Sequence, residues 1–199
     1  MRYVDPIRDK YLLNDIDKYL KTKEVKNEKE EFIRDRNYLL FMFGVYEGRR
    51  IGDILQIRVG DIREDRIILK EQKTGKENIL YIHDKVLKQI KSYVKKYSLV
   101  QSDYLFPSRK TKNHEQRPLG RQGAYNIIKD IQREFGDKVG NLGTHTLRKT
   151  FGYQYYMKTK DVVMLQKLFN HSSPSITLDY IGITNDQKRD AIKKFDPFS

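Results

Sequence analysis

Apolar residues recur along this chain at two periods, and the switch between them organises it. Ile7, Tyr11, Leu12, Ile16, Tyr19 and Leu20 follow one another at helical spacing. Asp5-Pro6 just ahead predicts the start of that helix, with Asp5 as its cap and Pro6 in its first position. Residues 21–30 are almost all charged and read as a solvated loop running into a second helix over about 30–46. Phe32, Ile33, Leu39, Leu40 and Phe43 give that helix a broad apolar face, and Gly48 ends it. A short helix over 50–56 follows, with Ile51, Ile54 and Leu55 inward.

The period then shortens. Residues 58–62, 66–70 and 78–82 are short segments rich in β-branched side chains. Glu64-Asp65 and Lys73-Thr74-Gly75-Lys76 separate them as turns, so a small three-stranded antiparallel sheet is predicted. Helical periodicity returns over 84–97. Residues 102–119, with two prolines and many polar side chains, read as an ordered but mobile loop. Further helices are predicted over 120–135, 145–158 and 161–169, in a short piece ending near Tyr180, and in a basic helix over 185–194. The fold class is mainly α with a small three-stranded antiparallel sheet (α+β). With no internal repeat and no low-complexity linker, a single domain over residues 1–199 is expected.

Charge narrows the partners. Lys and Arg total 40 against 27 Asp and Glu, a formal net charge of +13. Such an excess points to a polyanion, nucleic acid above all. The positive charge is spread along the whole chain, which argues against one membrane-surface helix. The absence of cysteine excludes disulfides, thiolate metal sites and cysteine nucleophiles. Met1 to Pro6 contains no apolar signal core, and no apolar run approaches the length of a bilayer span. The expectation is a soluble cytoplasmic protein, nucleoid-associated, with no membrane partner.

Candidate chemistry lies mostly in the last third. His145 and Arg148 sit three residues apart in Thr144-His145-Thr146-Leu147-Arg148-Lys149. His171 lies in Phe169-Asn170-His171-Ser172-Ser173, and Tyr180 follows it by nine residues. Far upstream, Gly48-Arg49-Arg50-Ile51-Gly52-Asp53 places an arginine at a structural corner. A phosphodiester repels nucleophiles, so a metal-free site must surround its oxygens with fixed positive donors. Arginine suits that task, because its planar fork stays charged and binds two oxygens. A tyrosine hydroxyl is a weak nucleophile at neutral pH unless such groups favour its phenolate. The two histidines lack the further ligands that a metal site needs.

Taken together, these segments resemble the catalytic domain of the tyrosine recombinase (phage integrase) family. Its boxes are Gly-x-Arg-Ile-x-Glu/Asp, His-x-x-Arg, and Leu-Gly-His-Ser-Ser with a tyrosine nine residues past the histidine. They match Gly48 to Asp53, His145 to Arg148, and Phe169 to Ser173 leading to Tyr180. The family also places a lysine on a β-hairpin turn, where Lys73 fits. The resemblance runs from about Ile7 to the C-terminus.

Three positions depart from the pattern. Arg49 replaces an aliphatic residue and so competes with Arg50; Arg50 is assigned because Ile51 and Asp53 follow it. Lys149 replaces a second histidine and keeps the positive charge. Asn170 replaces the glycine before His171, a position that can need unusual backbone angles, which asparagine tolerates. The family's usual N-terminal core-binding domain has no counterpart here, and Met1 with a helix cap close behind it favours a natural start.

What the resemblance implies is site-specific recombination through a 3′-phosphotyrosyl intermediate. Arg50, Arg148 and His171 would hold the scissile phosphate, Tyr180 would attack it, Lys73 would protonate the leaving 5′ oxygen, and His145 would take or assist the tyrosine proton. No cofactor and no metal are implied. The partner is double-stranded DNA, bound by a protein that is monomeric in solution and a homo-tetramer on DNA. The basic tail over 188–198 would dock on a neighbour or cap its own subunit. A catalytically silent DNA-binding regulator and type IB topoisomerase-like relaxation are the alternatives.

Overall fold

Helix α2, Glu28–Glu47, organises the molecule. In the computed structural model, which describes residues 4–70, 77–108 and 116–196, seven consecutive residues of α2, from Tyr38 to Gly44, are buried. A helix apolar all round in this way belongs at the centre of its fold. Helix α1, Lys10–Thr22, packs on one side of it, and α4 (Asp84–Lys96) and α6 (Thr146–Thr159) pack on others. Each fully buried Leu, Ile or Phe here, such as Leu39, Leu40 and Phe43, contributes about 1.5–3 kcal/mol of transfer free energy.

Close approach of α2 and α6 depends on Gly44. A Cβ there would lie 2.4 Å from Leu147 Cδ1 and 2.6 Å from Leu147 Cβ. At the end of α2, Gly48 adopts a left-handed backbone (φ 59°) and its amide closes on the Gly44 carbonyl. The chain then turns into α3, Ile51–Ile54, capped by the extended backbone of Arg50. This helix is shorter than the predicted 50–56. Ile54 and Leu55 are buried as expected, while Ile51 is only partly so.

The expected sheet is present, with order β1-β2-β3 and antiparallel throughout: β1 is Ile62–Arg63, β2 is Arg66–Lys70 and β3 is Glu77–Tyr81. Ile67 pairs with Leu80 on the buried face, and Ile68 with Ile79 on the other. The first strand is displaced from the predicted 58–62. Residues Val59–Asp61 form a 3-10 turn instead, held by the Asp61 carboxylate, which accepts from the Arg58 amide at 2.7 Å. The amides of Val59 and Gly60 go to the carbonyls of Asp103 and Gln101 rather than to β2.

The predicted start of α1 is also corrected. Asp9, not Asp5, caps it, accepting from the amides of Tyr11 and Leu12. Residues 4–8 are not helical, and side chains of α6 take up their backbone groups instead. The Thr150 hydroxyl accepts from Ile7 N at 2.9 Å, the Lys149 ammonium donates to Val4 O at 2.8 Å, and the Gln154 amide donates to the Ile7 and Arg8 carbonyls. Asp5 pairs with Asn141 through backbone and carboxylate.

The described ends of the 102–119 segment are anchored, with Leu105 and Phe106 fully buried and Leu119 N donating to Phe106 O at 2.7 Å. Residues 109–115 lie outside the described part. Helix α5, Arg121–Phe135, follows. Helices α7 (Val162–Phe169), α8 (Pro174–Ile181) and α9 (Ile183–Lys194) then close a second, smaller core of Leu165, Phe169, Ile181 and Ile183 against α6. Arg8 forms an ion pair with Asp186 of α9, so the first half of that helix is fastened to its own subunit.

Candidate active site

Arg148 ties the site together. Its side chain is buried on α6 and only 4% exposed. Nη1 donates to the Gly48 carbonyl and Nη2 to the Phe169 carbonyl, each at 2.8 Å. The guanidinium lies 4.1 Å from the centre of the Phe169 ring. One side chain thus joins the corner after α2 to the end of α7. Burial depresses its pKa, but a guanidinium so perturbed is still a cation at neutral pH.

Arg50, at that corner, is exposed. Its positive charge bears on His145, Arg148, His171 and Tyr180 alike. Arg49 is half-buried, and the opposite charges nearest it are Glu47 and Asp53. Of the two arginines, the one assigned from sequence is the one whose field covers the other candidates.

The two histidines are held differently. His145 directly precedes α6, and its Nδ1 lies 3.1 Å from the Tyr180 hydroxyl. His171 follows Asn170, which caps α7 in the left-handed conformation (φ 52°) anticipated for that position. The His171 amide donates to Gln166 O, and the Gln166 side chain donates back to His171 O, each at 3.0 Å. His171 Nδ1 lies 3.1 Å from the Thr177 hydroxyl, which itself donates to Ser173 O. That hydroxyl therefore accepts from Nδ1–H, which leaves Nε2 as the lone-pair nitrogen of the neutral ring. Burial, with the surrounding cations, pushes the pKa of both histidines below the usual value.

Tyr180 sits on α8, half-buried, edge-on to Phe169 and His171 with ring centres 5.6 and 5.2 Å away. Burial raises its pKa, while the charge and hydrogen bond of Arg148 and the charge of Arg50 oppose the rise. The phenol is thus protonated at neutral pH, beside a neutral imidazole able to accept its proton. Five of the six candidate residues share one site; the sixth, Lys73, lies outside the described residues. Lys149, which sequence reading kept only for its charge, has its ammonium 5.4 Å from the centre of the Tyr180 ring. Thr177 and Glu47 went unnoticed. Thr177 could have been found from its spacing, six residues past His171 and three before Tyr180 on a short helix.

Known proteins resemble this chain in sequence and fold. The family model described as the phage integrase family matches residues 14–187. A probable integrase/recombinase of Bacillus subtilis, YoeC, is 38% identical over 196 residues, 98% of each chain. Tyrosine recombinase XerA of Pyrococcus horikoshii is 28% identical over 81% of this chain and 55% of its own length. The chain therefore spans nearly all of the first relative and about half of the second. Among solved structures, the XerA recombinase superposes with a TM-score of 0.70 over 99% of this chain and 67% of that one, at 18% identity. The XerH site-specific recombinase bound to its difH substrate gives 0.68 over 90% and 51%, at 21% identity. These structures share the fold: a mostly helical domain with one small antiparallel sheet. With the family model covering most of its length and the Bacillus relative matching it end to end, the chain belongs to the phage integrase family, the tyrosine recombinases, which cut and rejoin DNA strands.

Proposed function

We propose that this chain carries out site-specific recombination of double-stranded DNA with Tyr180 as its nucleophile. The observation that carries the reading is the 3.1 Å contact between the Tyr180 hydroxyl and His145 Nδ1, beside the buried Arg148. Arg50 and Arg148 hold the non-bridging oxygens of the scissile phosphate, and His171 joins them when protonated, because only the imidazolium carries an Nε2–H to donate. The Tyr180 oxygen attacks phosphorus, its proton passes to His145, and the bond from phosphorus to the 5′ oxygen breaks. Lys73 gives the departing oxygen its proton. A 5′ hydroxyl of the partner strand later reverses the step, so the phosphotyrosine conserves the bond energy and no external energy source is needed.

The XerH complex supports DNA as the partner, as does the net charge of +13. Exchange between two duplexes needs several such sites at once, so the chain acts at the nucleoid as a homo-tetramer formed on DNA. The test is a nicked suicide substrate. Wild-type protein should form a covalent adduct, and Tyr180→Phe should bind the same DNA without forming one. An adduct retained by Tyr180→Phe would overturn the assignment.

A further inference from the structure

Glu47 stands where the active-site corner begins, one residue before Gly48, yet the reaction above does not use it. Its side chain is half-buried and accepts a hydrogen bond from the His83 amide at 2.9 Å. His83 is the residue from which α4 starts; its ring packs on Tyr46, with centres 4.8 Å apart, and its Nδ1 accepts from the Lys85 amide. On the other side, Glu47 faces the charge of Arg49, whose second opposite charge is Asp53. The Gly48 carbonyl, one residue on, is the anchor of Arg148. A carboxylate so placed touches both framework and corner.

We propose that ionised Glu47 is a positioning residue for the phosphate site: it fastens the Gly48–Arg50 corner to the start of α4 and retains Arg49, leaving Arg50 to meet the phosphate. Two physical points support this. A hydrogen bond to a carboxylate is roughly twice as strong as one to a neutral acceptor, so the corner is held more firmly when Glu47 is charged. A half-buried guanidinium also needs a counter-charge; without Glu47, Arg49 is left with Asp53, three residues past the phosphate-binding Arg50, and the corner loses the charge that holds it toward α4. The groups facing Glu47 are Arg49 and the His83 amide, and burial pushes its pKa up to about 7, against the pull of both. His145 and His171 are shifted the other way, below the usual imidazole value. The charge on Glu47 therefore changes in a pH window that the histidines leave clear.

The inference rests on the recombinase reading. The experiment follows single-turnover adduct formation on a suicide substrate from pH 5.5 to 8.5, for wild type and Glu47→Gln. Glutamine keeps the acceptor for His83 and removes only the charge. Wild type should gain rate with a midpoint near pH 7. Glu47→Gln should lack that limb and run roughly tenfold below wild type at pH 8, with DNA affinity within about twofold. Superimposable profiles for the two proteins would overturn the inference and leave the recombinase reading intact. Absence of any wild-type adduct would instead defeat the reading itself.

Discussion

Arg148 and Gly48, 100 residues apart in sequence, meet through a 2.8 Å hydrogen bond from guanidinium to carbonyl. With the matching bond to Phe169 O, this makes the central cation of the site a structural brace as well. The two roles separate on substitution. Arg148→Lys keeps a charge but cannot span both carbonyls, so adduct formation should fall roughly 100-fold or more. Leaving a buried carbonyl unpaired should also cost about 1–3 kcal/mol. Chemical denaturation and suicide-substrate kinetics on one preparation would check both; unaltered stability would contradict the bracing role.

His145 should act as base in its neutral form. Its folded pKa lies below its unfolded one, so the stability linked to it is complete above the unfolded value near 6.5 and is lost as pH falls through the folded pKa. Adduct formation should drop over that same acid range. In His145→Gln the rate should be lower throughout and the acid limb absent. A limb that persists unchanged in the variant would assign it to another group.

Gly44→Ala tests the packing beneath the site. The added methyl would meet both Cδ1 and Cβ of Leu147 well inside contact distance, and rotation of the leucine cannot relieve the clash with its Cβ. Helices α2 and α6 must then move apart. The expected cost is about 2–3 kcal/mol, read as a fall in melting temperature of several degrees. A variant as stable as wild type would show that the interface yields without cost.

Glu47 carries a stability signature of its own. Its folded pKa, about 7, lies above its ordinary value of 4.5, so the contribution of the protonated group is complete below the ordinary value and is lost as pH rises through the folded one. Glu47→Gln is neutral everywhere. It should match wild type at low pH and exceed it at pH 8 by up to about 3 kcal/mol, checked by melting temperature across the range. A gap that does not grow with pH would sink the expectation.

The helices were legible because their periodicity and punctuation agree. Asn27, Gly48, Asp161 and Ser173 each cap or close a helix through local chemistry that leaves a mark in sequence. The start of α1 was misread because Asp5-Pro6 looks like a cap, and only the distant polar groups Thr150, Lys149 and Gln154 show where the backbone of residues 4–8 is engaged instead. The first strand was misplaced for a similar reason, since Val59 and Gly60 bond to residues some forty positions away. Arg50, His145, Arg148, His171 and Tyr180 could be named from their motif, but the bracing of Arg148 could not. Nor could the carboxylate at Glu47, whose meaning comes from a backbone amide far along the chain.

The stitching of residues 4–8 has a mechanical consequence. Thr146, Lys149, Thr150 and Gln154 grip that stretch from one face of α6, the helix whose other residues include Arg148. A displacement of residues 4–8 therefore bears on the helix that carries Arg148 before it reaches α1.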